Sequence, residues 1–311
     1  MIAPQHVSAT DPLKPDLIFS CPLQFPLAVA TNPNTVHIPF NMIGRLIAVD
    51  ARVDTVAGTF ILDTGAERLL LNKNYFDGFR GAGDWVAMGN TGEVENVRHK
   101  KVDSLFWDNL LFADVKANVL DLSHIEQKKK IRLVGIIGYD VFKDFEVFLD
   151  FQLMQIVLSK LDKAGNRIDK EVFLEQPYDS LDFRLYRHLI IIKAEIEGVS
   201  LKFSLDSGAE LNLLDRRVKR KVLNHFEIVK RVNMLGMGQK TIEVLAGVLN
   251  DVKCGNQESE GMRTLLTNLS EMNTSFQVNI DGVLGYEFLV TRRTLINYKQ
   301  KKMFFFKEIR P

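Results

Sequence analysis

"FILDTGAE" occupies Phe60–Glu67 and "FSLDSGAE" occupies Phe203–Glu210, so one chain carries nearly the same octapeptide twice, with Asp63 and Asp206 143 residues apart. In each copy apolar residues precede the aspartate, and a glycine follows it two positions later. Leu201, Phe203 and Leu205 alternate with Lys202 and Ser204, the period of two of a strand with one buried face, and Phe60 and Leu62 repeat that spacing. Each aspartate is therefore expected just past the end of a strand.

The correspondence extends outward in the same order. Upstream lie two β-rich runs, "HIPFNMIGRLIAVDARV" from His37 and "HLIIIKAEIEGVSL" from His188, with the two histidines marking equivalent places. Downstream come two glycine-punctuated turns, "VAMGNTGEVENV" (Val86–Val97) and "VNMLGMGQKTIEVL" (Val232–Leu245), which read as hairpins because glycine accepts positive φ at little cost. Next are "VGIIGYDVF" (Val134–Phe142) and "DGVLGYEFL" (Asp281–Leu289), whose second glycines, Gly138 and Gly285, stand 75 and 79 residues after the aspartates. Terminal β-rich runs, "VFLDFQLMQIVL" and "TLINYKQKKMFFF", close each copy.

This repeat divides the chain into an N-terminal arm (1–35), a first lobe (36–160), a linker (161–184) and a second lobe (185–311). The class is all-β with few short helices, the best helical pattern being "DRRVKRKVLNHF" from Asp215 to Phe226. A chain of 311 residues with 46% apolar composition can bury a large core. Its 40 basic and 39 acidic residues leave a net charge of +1, which provides no field toward nucleic acid. The basic runs "QKKKIR" and "DRRVKRK" lack interleaved aromatic residues and read as solvated faces. Cys21 and Cys254 cannot build a disulfide framework, and six scattered histidines offer no metal spacing, so no metal and no cofactor are expected. No apolar run is long enough for a transmembrane helix. "LIFSCPLQFPLAVA" (Leu17–Ala30) ends in an A-x-A but lacks a basic start, so a cytoplasmic setting is the expectation, with export as the alternative.

A carboxylate after a buried strand is costly unless donors or a partner meet it. If two lobes meet about a pseudo-twofold axis, Asp63 and Asp206 face each other. Like charges that close hold one proton between them, and such a pair can activate water with one member while protonating a carbonyl with the other. The duplicated Asp-Thr/Ser-Gly-Ala, each followed by an apolar-apolar-Gly (Ile136-Ile137-Gly138 and Val283-Leu284-Gly285), resembles a retropepsin-like aspartic protease with two lobes fused in one polypeptide.

The resemblance, over residues 36–311, implies closed acid-protease barrels and a catalytic pair of Asp63 and Asp206. It implies support from Thr64, Gly65, Ser207, Gly208, Gly138 and Gly285, with Thr64 and Ser207 exchanging hydrogen bonds across the lobe interface. Met88, Gly89, Asn90, Thr91 and Gly92, with Gly236, Met237 and Gly238, would be substrate-binding flaps, and the terminal β-runs would form an inter-lobe sheet. The implied partner is a peptide or protein substrate, apolar around the cut bond, and the implied state is a monomer. Ala66 and Ala209 stand where pepsin-like relatives place a hydroxyl, which predicts a less acidic pair active at mildly acidic to neutral pH. Glu67 and Glu210 read as surface residues. The rival readings are a catalytically silent peptide-binding module of the same fold, and lobes that pair between chains.

Overall fold

The computed structural model describes residues 29–32, 34–76, 85–89, 92–171, 175–235 and 241–309. It is mostly β, with closed barrels and six short helices among the described residues. Both octapeptides end strands as expected: Val56–Leu62 runs to Asp63, and Val199–Leu205 runs to Asp206.

The two halves share one strand order. In the first, Leu46–Val53 pairs with Val56–Leu62, which lies parallel to Leu133–Ile137; that strand is antiparallel to Leu69–Asn72, itself parallel to Leu110–Leu120. In the second, Leu189–Ile196, Val199–Leu205, Gly282–Leu284, Asn212–Asp215 and Met262–Thr267 follow the same sequence of pairings. Each sheet closes on its first hairpin, through Arg52↔Phe106 in one half and Glu195↔Lys253 in the other. The hairpin turns also agree, since Asp54 (φ 50°) and Glu197 (φ 48°) take the left-handed conformation that a two-residue turn requires.

The core explains why both motifs carry an earlier glycine. A Cβ on Gly135 would lie 2.8 Å from the Phe60 ring, and one on Gly282 would lie 2.2 Å from the Phe203 ring. Phe60 and Phe203 are fully buried beneath the aspartate turns, each contributing about 1.5–3 kcal/mol by burial.

A third sheet runs between the halves in the order Val29–Asn32, Thr35–Pro39, Gln155–Lys160, Phe145–Asp150, Arg293–Asn297, Lys302–Phe306, Asp179–Asp182. Its central pair, Phe145–Asp150 against Arg293–Asn297, is buried along its whole length. Charges inside it are matched: Arg293 donates to Asp150 at 2.9 Å, and Glu146 pairs with Arg167 at 2.8 Å while accepting from Asn297 at 2.8 Å. Such pairs favour one register, because a slip leaves a buried charge uncompensated.

Four local expectations are corrected. The helix expected over Asp215–Phe226 shrinks to Arg220–Leu223, because Asn212–Asp215 is a strand and Arg217 folds back onto Asp215 at 2.5 Å. Ser204 is buried rather than outward, since its strand is flanked by Ile191 and Val283. The stretch read as a plain linker contributes Asp179–Asp182 to the third sheet through pairing with Lys302–Phe306. His37 and His188 are not equivalent: by strand register, Arg45 takes the place before Leu46 that His188 takes before Leu189.

Candidate active site

The strand pairings bring Asp63 and Asp206 to corresponding places at the ends of their strands. Asp63 N–H donates to the Ile137 carbonyl at 3.0 Å and Asp206 N–H to the Leu284 carbonyl at 2.9 Å, so each aspartate is tied to its apolar-apolar-Gly segment. After each glycine the chain turns back onto the aspartate loop: Tyr139 N–H donates to Ala66 O and Tyr286 N–H to Ala209 O, both at 2.9 Å. Gly138 and Gly285 leave room for those crossings. A Cβ on Gly285 would lie 2.2 Å from Ala209 O, and one on Gly138 would lie 2.4 Å from Arg68 O.

The two turns interlock. Thr64 N–H donates to Ser207 Oγ at 3.0 Å, and Ser207 N–H donates to Thr64 Oγ1 at 2.9 Å. Ser207 Oγ donates in turn to Leu62 O at 3.0 Å, and Thr64 Oγ1 to Leu205 O at 3.4 Å. Both side chains are buried, so four backbone groups that water cannot reach are satisfied by the opposite half.

The carboxyl groups meet across this interlock. A Cβ on Gly65 would stand 2.7 Å from Asp206 Cγ, and a Cβ on Gly208 would stand 2.6 Å from Asp63 Cγ. Each glycine therefore leaves space for the aspartate of the other half. Asp63 Oδ1 accepts from Gly65 N–H at 2.7 Å and Ala66 N–H at 3.0 Å, whereas Asp206 Oδ1 accepts from Gly208 N–H at 2.8 Å. Burial raises the Asp206 pKa well above the usual carboxylate range, and the charge and hydrogen bond of Asp63 raise it further, against the pull of the Gly208 and Gly65 amides.

Of the residues expected in hairpin tips, Met88 and Gly89 end the strand Trp85–Gly89 and Gly92 begins Gly92–Trp107, with Gly89 opposite Gly92. Asn90, Thr91, Gly236, Met237 and Gly238 lie outside the described residues. The second hairpin is framed by Leu235 opposite Thr241. The backbone of the first hairpin runs beside helix Ser270–Phe276, which belongs to the other half.

Several residues at the site escaped the sequence reading. Asn212 donates no strand pattern of its own, yet its Oδ1 receives Gly285 N–H at 2.8 Å. Glu67 is exposed, as expected, but Glu210 is not a free surface residue: it pairs with Lys129 of the other half at 2.6 Å. His188, taken as a marker, reaches Gly65 O at 3.1 Å. The one available signal was its place immediately before a buried strand. Among the described residues no group of three or more histidine, cysteine, aspartate or glutamate side chains gathers around a common point, and no helix is long and apolar enough to cross a membrane.

Residues 192–288 match the family model described as aspartyl protease, a span that includes Asp206–Ala209 and Val283–Gly285. No curated protein matches the chain. Among solved structures, a retropepsin-like aspartic protease from Rickettsia conorii is similar at 20% identity and a TM-score of 0.30, over 40% of this chain and 90% of that one. Across residues 192–288 the chain is aspartyl-protease-like in sequence.

Proposed function

We propose that the chain is a single-chain aspartic endopeptidase of two lobes, residues 36–160 and 185–311, with one catalytic pair at their junction. The observation that carries this reading is reciprocal: each motif glycine faces the carboxyl group of the opposite aspartate. A pair of carboxyls so placed holds one proton, and the donor arrangement supports distinct roles for its members. Asp63, with two amide donors on one oxygen, is the base; Asp206, with its raised pKa, carries the proton.

A water between them gives a proton to Asp63 as its oxygen bonds to the scissile carbonyl carbon, while Asp206 protonates the carbonyl oxygen. In the resulting gem-diol, the proton now on Asp63 passes to the nitrogen as the C–N bond breaks, and a diol proton returns to Asp206. An extended peptide would lie beside the strand pairs Trp85–Gly89/Gly92–Trp107 and Phe226–Leu235/Thr241–Leu249, which act as flaps and pair with its backbone. Thr64, Ser207, Gly65, Gly208, Gly138 and Gly285 hold the geometry. Because the interlocking turns come from one chain, the working unit is a monomer.

The test is cleavage of a peptide library by the wild type, Asp63→Asn and Asp206→Asn, with and without a statine-type inhibitor. Cleavage confined to the wild type and blocked by the inhibitor supports the proposal. Equal cleavage by all three proteins removes it, and peptide binding without cleavage identifies a silent binding module.

A further inference from the structure

The interlocked turns differ in one respect that the paired-aspartate reading does not use. His188 sits before the strand Leu189–Ile196, is only 4% exposed, and packs its ring against Phe276 of helix Ser270–Phe276 at 6.1 Å. Its Nε2 lies 3.1 Å from Gly65 O. A carbonyl only accepts, so Nε2 carries the hydrogen. Nδ1 is buried and has no hydrogen-bond partner among the described residues, which fits a neutral ring with its lone pair on that nitrogen.

The accepting carbonyl belongs to the peptide unit whose N–H is that of Ala66, and that N–H donates to Asp63 Oδ1 at 3.0 Å. His188, one peptide group and the Asp63 carboxylate thus form a continuous chain of donors, in which each bond polarises the next. Among the described residues the other half shows no counterpart. Arg45 occupies the equivalent place but turns to Glu287 at 3.5 Å, and Asp206 Oδ1 receives the Gly208 amide.

We propose that His188 is a positioning residue for Asp63: through the Gly65–Ala66 peptide it orients the amide that holds Asp63 as the carboxylate of the pair. This deepens the endopeptidase reading and rests on it for its kinetic consequences only. The charged groups facing the ring are acidic: Glu67 and Asp63 from the turn, and Asp140 from helix Tyr139–Phe142. Burial nevertheless moves the imidazole below the usual histidine range, so the ring stays neutral at neutral pH and acts by its N–H rather than its charge.

Two variants separate this from a packing role. His188→Phe keeps a ring and removes the donor; His188→Gln places an amide N–H near the position of Nε2. We expect His188→Phe to lower kcat about tenfold with KM little changed, and His188→Gln to recover most of the loss. In the ligand-free protein, carboxyl-carbon NMR should show the lower titration step of the aspartate pair moving up in His188→Phe and returning in His188→Gln. Imidazole NMR of the wild type should show the Nε2–H tautomer, with a His188 pKa that falls further in Asp63→Asn. An Nδ1–H tautomer, or an aspartate titration identical in wild type and His188→Phe, overturns the proposal. The NMR arms need no turnover, so an inactive protein would refute the endopeptidase reading while leaving the role of His188 to be decided; if His188→Phe does not fold, the tautomer and the Asp63→Asn shift decide alone.

Discussion

The turn Asp63–Ala66 and the turn Asp206–Ala209 have nearly the same sequence and the same backbone ties, yet they treat their carboxyl groups differently. Two amides converge on Asp63 Oδ1 and a buried imidazole stands behind one of them; Asp206 Oδ1 receives the Gly208 amide, and its acidity is reduced by burial and by its neighbour. Duplicated sequence therefore produces a framework, and the residues outside the duplication produce the asymmetry. In a pair that shares one proton, such asymmetry gives the proton a preferred side.

The comparison breaks most completely if either carboxyl is neutralised. Asp63→Asn and Asp206→Asn should each lower kcat/KM by at least about 10²–10⁴-fold, the usual worth of a general base or acid. They should differ in stability. Asp206 is raised by burial and repulsion, so its contribution to folding is present at low pH and is lost as pH rises through its folded pKa. Asp206→Asn should therefore raise Tm at neutral pH more than it does in acid, and thermal melts across pH check this. The same raised pKa keeps the acid protonated above the ordinary carboxylate range, so the alkaline limb of the activity profile should lie above that range.

Adding a methyl group at the meeting point sharpens the same comparison. Gly65→Ala pushes on Asp206 Cγ from 2.7 Å, and Gly208→Ala pushes on Asp63 Oδ2 from 2.5 Å. Because the struck atoms end side chains, the fold should survive while activity falls by about 100-fold, as expected for a displacement near 1 Å at a reacting centre. Gly285→Ala meets the Ala209 carbonyl at 2.2 Å, where backbone must move, and should lower stability by about 1–3 kcal/mol in denaturant titration.

How much of this was legible follows from the same residues. Asp63, Asp206, Thr64 and Ser207 announced themselves because the eight-residue motif recurs with its flanks, and alternation around Phe203 located the strand. What the sequence concealed came from partners distant in the chain. Ser204 looks outward by alternation, but sheet neighbours on either side cover it. The basic run after Asp215 has helical spacing, yet strand pairing and an ion pair claim its start. Asp179–Asp182 is polar and turn-like until Lys302–Phe306 offers it a ladder. His188 offers only its place before a buried strand; its hydrogen bond crosses between the halves.

The interlock itself predicts an ordered pair of smaller effects. Ser207 Oγ accepts from Thr64 N–H and donates to Leu62 O, both at 3.0 Å, whereas the bond from Thr64 Oγ1 to Leu205 O is 3.4 Å. Ser207→Ala should cost about 1–3 kcal/mol, since it strands buried backbone groups, and Thr64→Ala should cost less. The smallest effect is expected at Tyr298, which follows the strand Arg293–Asn297 as Phe151 follows Phe145–Asp150. Its hydroxyl is buried without a hydrogen-bond partner among the described residues, so Tyr298→Phe should be neutral or stabilising by up to about 1 kcal/mol.

The most direct test is a carboxyl-carbon NMR titration of wild type, Asp63→Asn and Asp206→Asn, with the two aspartates labelled. Two well-separated steps are predicted in the wild type, the upper one at Asp206 and above the ordinary carboxylate range, and that step should drop when Asp63 is replaced. Two independent titrations at ordinary values, with Asp206 indifferent to Asp63→Asn, would contradict the sharing of one proton on which the proposed chemistry stands.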